Sequence, residues 1–102
     1  QIYGASNRDV RIVLRARAES WVQIQGAKNE LLLTRMLRAG DSYRVPNRID
    51  LVLMTGNAGA IEIIMDGVAL GILGPIGQVR RNIKLNVDQL REQMQSTSRP
   101  SP

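Results

Sequence analysis

Turn residues punctuate this chain about every 8–12 residues, and that cadence limits its fold more than any other feature. The intervals between turns are too short and too poorly amphipathic for crossover helices. Parallel βαβ units therefore fall away, and an all-β fold, a small antiparallel β-sandwich of about seven short strands, is expected.

Between the turns the apolar pattern has a period of two. From Val10 onward, Ile12, Leu14, Ala16 and Ala18 fall on one face, and Arg11, Arg15, Arg17 and Glu19 on the other. Continued in phase, this pattern buries Val22 and Ile24 and exposes Trp21. A bulge at Glu19-Ser20 would reverse the faces. A bulge or bend there is the reading adopted, because a packed Trp is the commoner arrangement, and whether Trp21 is core or surface stays open.

Residues 31–37 are apolar on both faces: either a second layer covers the strand or an apolar patch is exposed for a partner, and coverage on each side is the reading adopted. A turn at residues 38–41 leads to a short strand at 42–45, which Pro46-Asn47 ends. Residues 51–55 form another apolar run, and Gly56-Asn57-Ala58-Gly59 interrupts the chain before Ile61, Ile63 and Met65 alternate. Asp66-Gly67 is the strongest hairpin signal, since a type I′ turn needs positive φ at both central residues. Residues 68–73 return as its partner strand. A glycine-rich loop at 74–77 precedes a last strand at 79–85.

Residues 1–8 are expected to be a lead-in anchored by Ile2 and Tyr3. The sandwich domain occupies residues 9–87, and 88–102 form a short helix or a disordered tail. Asn86 suits an N-cap with Gln89 at the third position, and Val87, Leu90 and Met94 would share a helix face. The chain starts at Gln1 without an initiator Met or an apolar leader, so it reads as a piece of a longer protein. Its apolar runs fall far short of the roughly 20 residues that span a bilayer.

Composition narrows the chemistry. There is no Cys, no His and no Phe, so Leu, Ile and Val must fill the core. Serine or cysteine nucleophiles activated by His are excluded. A Ser–Lys dyad could use only Lys28 or Lys84, and neither stands in a recognisable nucleophile turn. The carboxylates Asp9, Glu19, Asp41, Asp50, Glu62 and Asp66 are scattered, so an acid/base site would need two of them to converge in a cleft. Zinc ligands and calcium-loop spacing are missing, and neither glycine cluster has phosphate-loop or dinucleotide spacing. No catalytic, cofactor-binding or metal-ligating residue is expected, and the chain reads as a binding module rather than an enzyme.

Fourteen basic residues against nine acidic ones give a net charge of +5. Arg11, Arg15 and Arg17 stand on one strand face, and Arg80 and Lys84 are candidates to join them. Such a stripe could bind an anionic polymer, or it could be an ordinary solvated face. Platforms for single-stranded nucleic acid interleave aromatics with charge, and this chain has three aromatics in all.

Several whole phrases resemble a known family. Arg11-Ile-Val-Leu-Arg-Ala-x-Ala-Glu-Ser-Trp21-Val22-Gln-Ile resembles the opening strands of the C-terminal extracytoplasmic domain of RodZ proteins. Leu37-x-Ala39-Gly40-Asp41-Ser42-Tyr43-x-Val45-Pro46 is similar to its central turn. Thr55-Gly56-Asn57-Ala58-Gly59 with Asp66-Gly67, and Leu73-Gly74-Pro75-x-Gly77-x-Val79-Arg80, resemble its later loops. These matches run in order over residues 9–87, and Val45-Pro46-Asn47 with the Asn-Ala-Gly phrase looks most like alphaproteobacterial versions.

The resemblance implies the periplasmic domain of a single-span, membrane-anchored cell-shape protein. In that family a cytoplasmic helix-turn-helix domain, absent here, contacts the actin-like protein MreB. The role implied is to couple this cytoskeleton to peptidoglycan synthesis during cell-wall elongation, through protein partners of the elongation machinery and with no catalytic residues. A homodimer is compatible with it, and nucleic acid is not an implied partner of this domain. The candidate interaction surface is Trp21 with Arg15 and Arg17, together with the loop Gly56, Asn57, Ala58 and Gly59.

Overall fold

The computed structural model describes residues 1–90 and residue 92. Met94, Gln95 and the tail from residue 96, parts of the expected helix and tail, lie outside the described residues. Nine strands form: β1 (Ile2–Tyr3), β2 (Ile12–Ala16), β3 (Ser20–Gln25), β4 (Leu31–Leu37), β5 (Ser42–Val45), β6 (Val52–Thr55), β7 (Ile61–Met65), β8 (Val68–Ile72) and β9 (Arg80–Lys84). They build a five-stranded sheet of order β1-β5-β2-β7-β8 and a four-stranded sheet of order β4-β3-β6-β9. Every pairing is antiparallel except β1 with β5. Among the described residues no helix is long and apolar enough to cross a membrane.

The all-β fold agrees with the turn cadence, and the count of nine rather than seven has two sources. The lead-in carries β1, whose Tyr3 packs against the core while Ile2 stays exposed. The long alternating stretch is two strands, divided by a bend rather than a bulge and just before Glu19-Ser20. After Ala16 the chain bends at Arg17-Ala18 and crosses to the other sheet. The inner faces of the two sheets look at each other, so the parity of the buried positions survives the crossing. Ile12, Leu14 and Ala16 are buried in the first sheet, and Ser20, Val22 and Ile24 in the second. Trp21, which the sequence leaves open between core and surface, therefore points outward and is 40% exposed.

Ser20 can take the inward position because its hydroxyl is satisfied. It lies 2.7 Å from the Thr55 hydroxyl, and the Asn57 backbone N–H donates to both oxygens. A buried polar pair with this many partners avoids the cost of an unsatisfied group.

The core between the sheets is almost wholly aliphatic: Leu14, Ile24, Leu53, Ile61, Ile63 and Ile83 are fully buried at its centre. Residues 87–90 form a helical turn that closes one end. Asn86 Oδ1 accepts from the backbone N–H groups of Asp88 and Gln89, which is the expected cap. Leu90 reaches the core with no exposed surface. The Asp66-Gly67 hairpin forms as read, with φ of 51° and 81° and Met65 paired to Val68.

Residues 31–37 depart from the expected coverage. This strand is an edge of the four-stranded sheet, and its outer face meets no second layer. Leu31 is 52% and Met36 45% exposed. Its two-faced apolar pattern arises from a bulge. Ile24 pairs with Leu33 and Gln25 with Leu31, so Leu32 is the extra residue, and both Leu32 and Leu33 turn to the core.

Candidate docking surfaces

The loop at 56–59 is built into the fold. Ala58, Gly59 and Ala60 form a buried 3-10 turn, and the segment from Leu73 to Gln78 is fastened onto it. Ala58 N–H donates to the Gln78 carbonyl (2.8 Å) and Gly59 N–H to the Pro75 carbonyl (3.0 Å). Asn57 Oδ1 accepts from Gly77 N–H at 2.7 Å. A Cβ on Gly59 would lie 2.5 Å from the Ile76 nitrogen, so only glycine fits beneath that strap. Of the four loop residues, Gly56 and Asn57 keep partial exposure, while Ala58 and Gly59 have no surface to offer a partner.

Trp21 stands on the outer face of the four-stranded sheet, directly opposite Met36 of β4. On its other side the Gly56 N–H donates to the Trp21 carbonyl (2.8 Å), and a Gly56 Cβ would rest at 3.5 Å from the Trp21 Cβ. The residues that β3, β4 and β6 turn to this face are uncharged, including Gln23, Gln25, Thr34 and Met54.

Arg15 and Arg17 look the other way. Arg15 pairs with Ser42 and Glu62 on the outer face of the five-stranded sheet, and Arg17 follows in the same phase beyond the end of β2. The expected single surface of Trp21, Arg15 and Arg17 is thus two surfaces on opposite sides of the sandwich. Arg15, Arg17 and Glu62 border a shallow hollow of about 420 Å³. Arg80 and Lys84 do not extend this stripe, because β9 is an edge of the other sheet. Arg80 Nη1 donates to the Leu73 carbonyl at 2.6 Å. Arg11 is also occupied, as a bidentate partner of Asp66 at 2.9 and 2.7 Å.

Sequence reading missed Arg44. It stands opposite Val13 on the Arg15 face. Among the described residues its Nε is the one buried side-chain nitrogen or oxygen without a hydrogen-bond partner. The signal was available, since Arg44 alternates with the inward Tyr43 and Val45.

Two carboxylates do converge, Glu30 and Asp50, on the guanidinium of Arg48 between them at 2.7 and 2.6 Å. The hydrogen bonds from Arg48 hold both carboxyls below their ordinary range, and the Ala27 N–H lowers Asp50 further. Carboxyls held ionised in this way are unsuited to proton donation near neutrality. Among the described residues, no group of three or more acidic, His or Cys side chains could hold a metal ion.

The sheet edges are blunted. The strands β4, β8 and β9 each carry a register shift against their neighbours, and β1 is two residues long. Bulged and very short edges resist strand addition, which leaves the two outer faces as the extended surfaces.

A search of curated proteins finds no match, and a search of solved structures finds none either. Residues 13–84 match a family model described as the RodZ C-terminal domain, a span that runs from β2 through β9 and takes in both outer faces. The chain belongs to the RodZ C-terminal domain family.

Proposed function

We propose that this domain is a non-enzymatic interaction module of a RodZ-like, single-span membrane protein, lying on the periplasmic side of the inner membrane. In this reading it binds protein partners of the cell-wall elongation machinery. It thereby helps couple the MreB cytoskeleton, engaged by a separate cytoplasmic part, to peptidoglycan synthesis. The observation that carries the reading is the family match over residues 13–84, the family being one of non-enzymatic cell-shape proteins. The surface chemistry agrees with it: Glu30, Asp41, Asp50 and Asp66 are engaged in ion pairs, and two broad sheet faces stand open.

The test is to export the domain to the periplasm, crosslink in cells and identify what co-purifies. Enrichment of peptidoglycan synthases or other elongation proteins is the expected result. Recovery of bulk envelope proteins alone would remove the scaffold role and leave a passive tether.

A further inference from the structure

The two outer faces differ in charge. Those of β3, β4 and β6 are uncharged, and that sheet's outward cation lies on its β9 edge, where Lys84 stands opposite Val52. The five-stranded sheet instead presents Arg15 and Arg44 from its central strands, with Arg17 just past the end of β2. Of the acids on β7 and its turn, Glu62 stands beside Arg15 and Asp66 is paired with Arg11. Among the described residues none of the three arginines has an acidic partner within ion-pair distance, in contrast to Arg11 and Arg48. The Nε of Arg44 is buried and unpaired, so a partner could reach only the part of that half-buried side chain that remains exposed.

We infer that this face docks an acidic protein segment, with carboxylates meeting Arg15, Arg17 and Arg44 and apolar side chains meeting the aliphatic residues between them. Three observations select that partner among anions. The cations are all arginine, whose planar fork pairs bidentately with carboxylates, and arginine is enriched at protein interfaces where lysine is depleted. Val13 and Ile64 lie between and beside them, and Ala69 and Ile72 continue the same face on β8. A run of phosphates would leave these aliphatic side chains unmatched. No Trp, Tyr or Phe lies in this register, so nucleic-acid bases would have nothing to stack on.

The inference takes its setting from the scaffold reading, but its test does not. Recruitment in cells probes the scaffold, whereas binding of a defined peptide in solution probes the face. The 102-residue protein is titrated against a labelled peptide of alternating glutamate and valine, followed by fluorescence anisotropy. The parallel probes are a single-stranded oligonucleotide and vesicles containing phosphatidylglycerol.

The variant Arg15→Ser/Arg17→Ser is compared with Arg81→Ser/Lys84→Ser. Both remove two positive charges from the same total of +5, and all four side chains are exposed. Peptide affinity should fall about tenfold in the first variant and stay within about twofold in the second. Equal losses would mean that net charge alone attracts the peptide, and the docking face would be rejected. Absence of peptide binding, or binding of oligonucleotide or vesicles alone through Arg15 and Arg17, would also overturn the proposal. Circular dichroism of each variant separates lost binding from lost fold.

Discussion

A methyl group added at Gly59 would press within 2.6 Å of the Ile76 backbone, in a turn whose atoms are already buried. Neither side can give, because the strap from Leu73 to Gln78 is fixed there by several backbone hydrogen bonds. Gly59→Ala should cost about 3 kcal/mol, at the upper end of overpacking effects, and urea denaturation would show it as a lower midpoint. Gly67 offers the contrast. Nothing lies within 4 Å of its added Cβ, and only its φ of 81° opposes a side chain, so Gly67→Ala should cost about 1 kcal/mol. Equal losses at the two sites would mean that the strap yields. The same scale explains Trp21. The buried Val22 and Ile24 fix which face turns inward, and Ser20 can join them because its hydroxyl meets the Thr55 hydroxyl and the Asn57 N–H. Thr55→Val should therefore destabilise by about 1–3 kcal/mol, since it removes an acceptor from buried groups.

At the scale of elements, Arg35 stands opposite the buried Val22, in the inward register of an edge strand. Its guanidinium lies 4.1 Å from the centre of the Tyr3 ring and spans the gap between the edges of the two sheets. An inward charge on an edge resists pairing with another chain. Arg35→Val should leave the fold intact at a cost of about 0.5–1 kcal/mol, while light scattering shows association that grows with concentration. A variant that stays monomeric would show that the bulge at Leu32 protects this edge unaided. These elements also show how far the sequence could be read. Turns were legible because each has a local cause: positive φ at Asp66-Gly67, and the cap at Asn86. The phrases that carried the family resemblance are largely such turns and the strap at Gly59, so they identify the fold more directly than the docking faces. The crossing at Arg17-Ala18 was not legible. A strand that changes sheets with its parity kept has the same period as one that continues. Leu31–Leu37 was misread for a related reason, since a bulge and an edge position together imitate a strand covered on both faces.

For the molecule as a whole, the lack of His leaves no side chain with an ordinary pKa between about pH 5 and 8. Stability should therefore be nearly flat over that range and be lost on the acid side. Glu30, Asp41 and Asp50 all have depressed folded-state pKa values, from the Arg48 guanidinium in the first and last and chiefly from the Arg38 N–H in Asp41. A depressed carboxyl contributes stability that is present above its unfolded pKa, about 4, and is lost as pH falls through its folded value. The urea midpoint should hold from pH 8 to about 5 and then drop. Arg48 ties Glu30 and Asp50 to the turn around Gly26, and a Cβ on Gly26 would crowd all three of their side chains. Arg48→Met should thus lower the midpoint at neutral pH and make the acid limb shallower, because two of the three depressed groups return toward ordinary values. An unchanged acid limb would place the lability elsewhere in the sandwich. A steady slope between pH 8 and 5 would contradict the titration argument altogether.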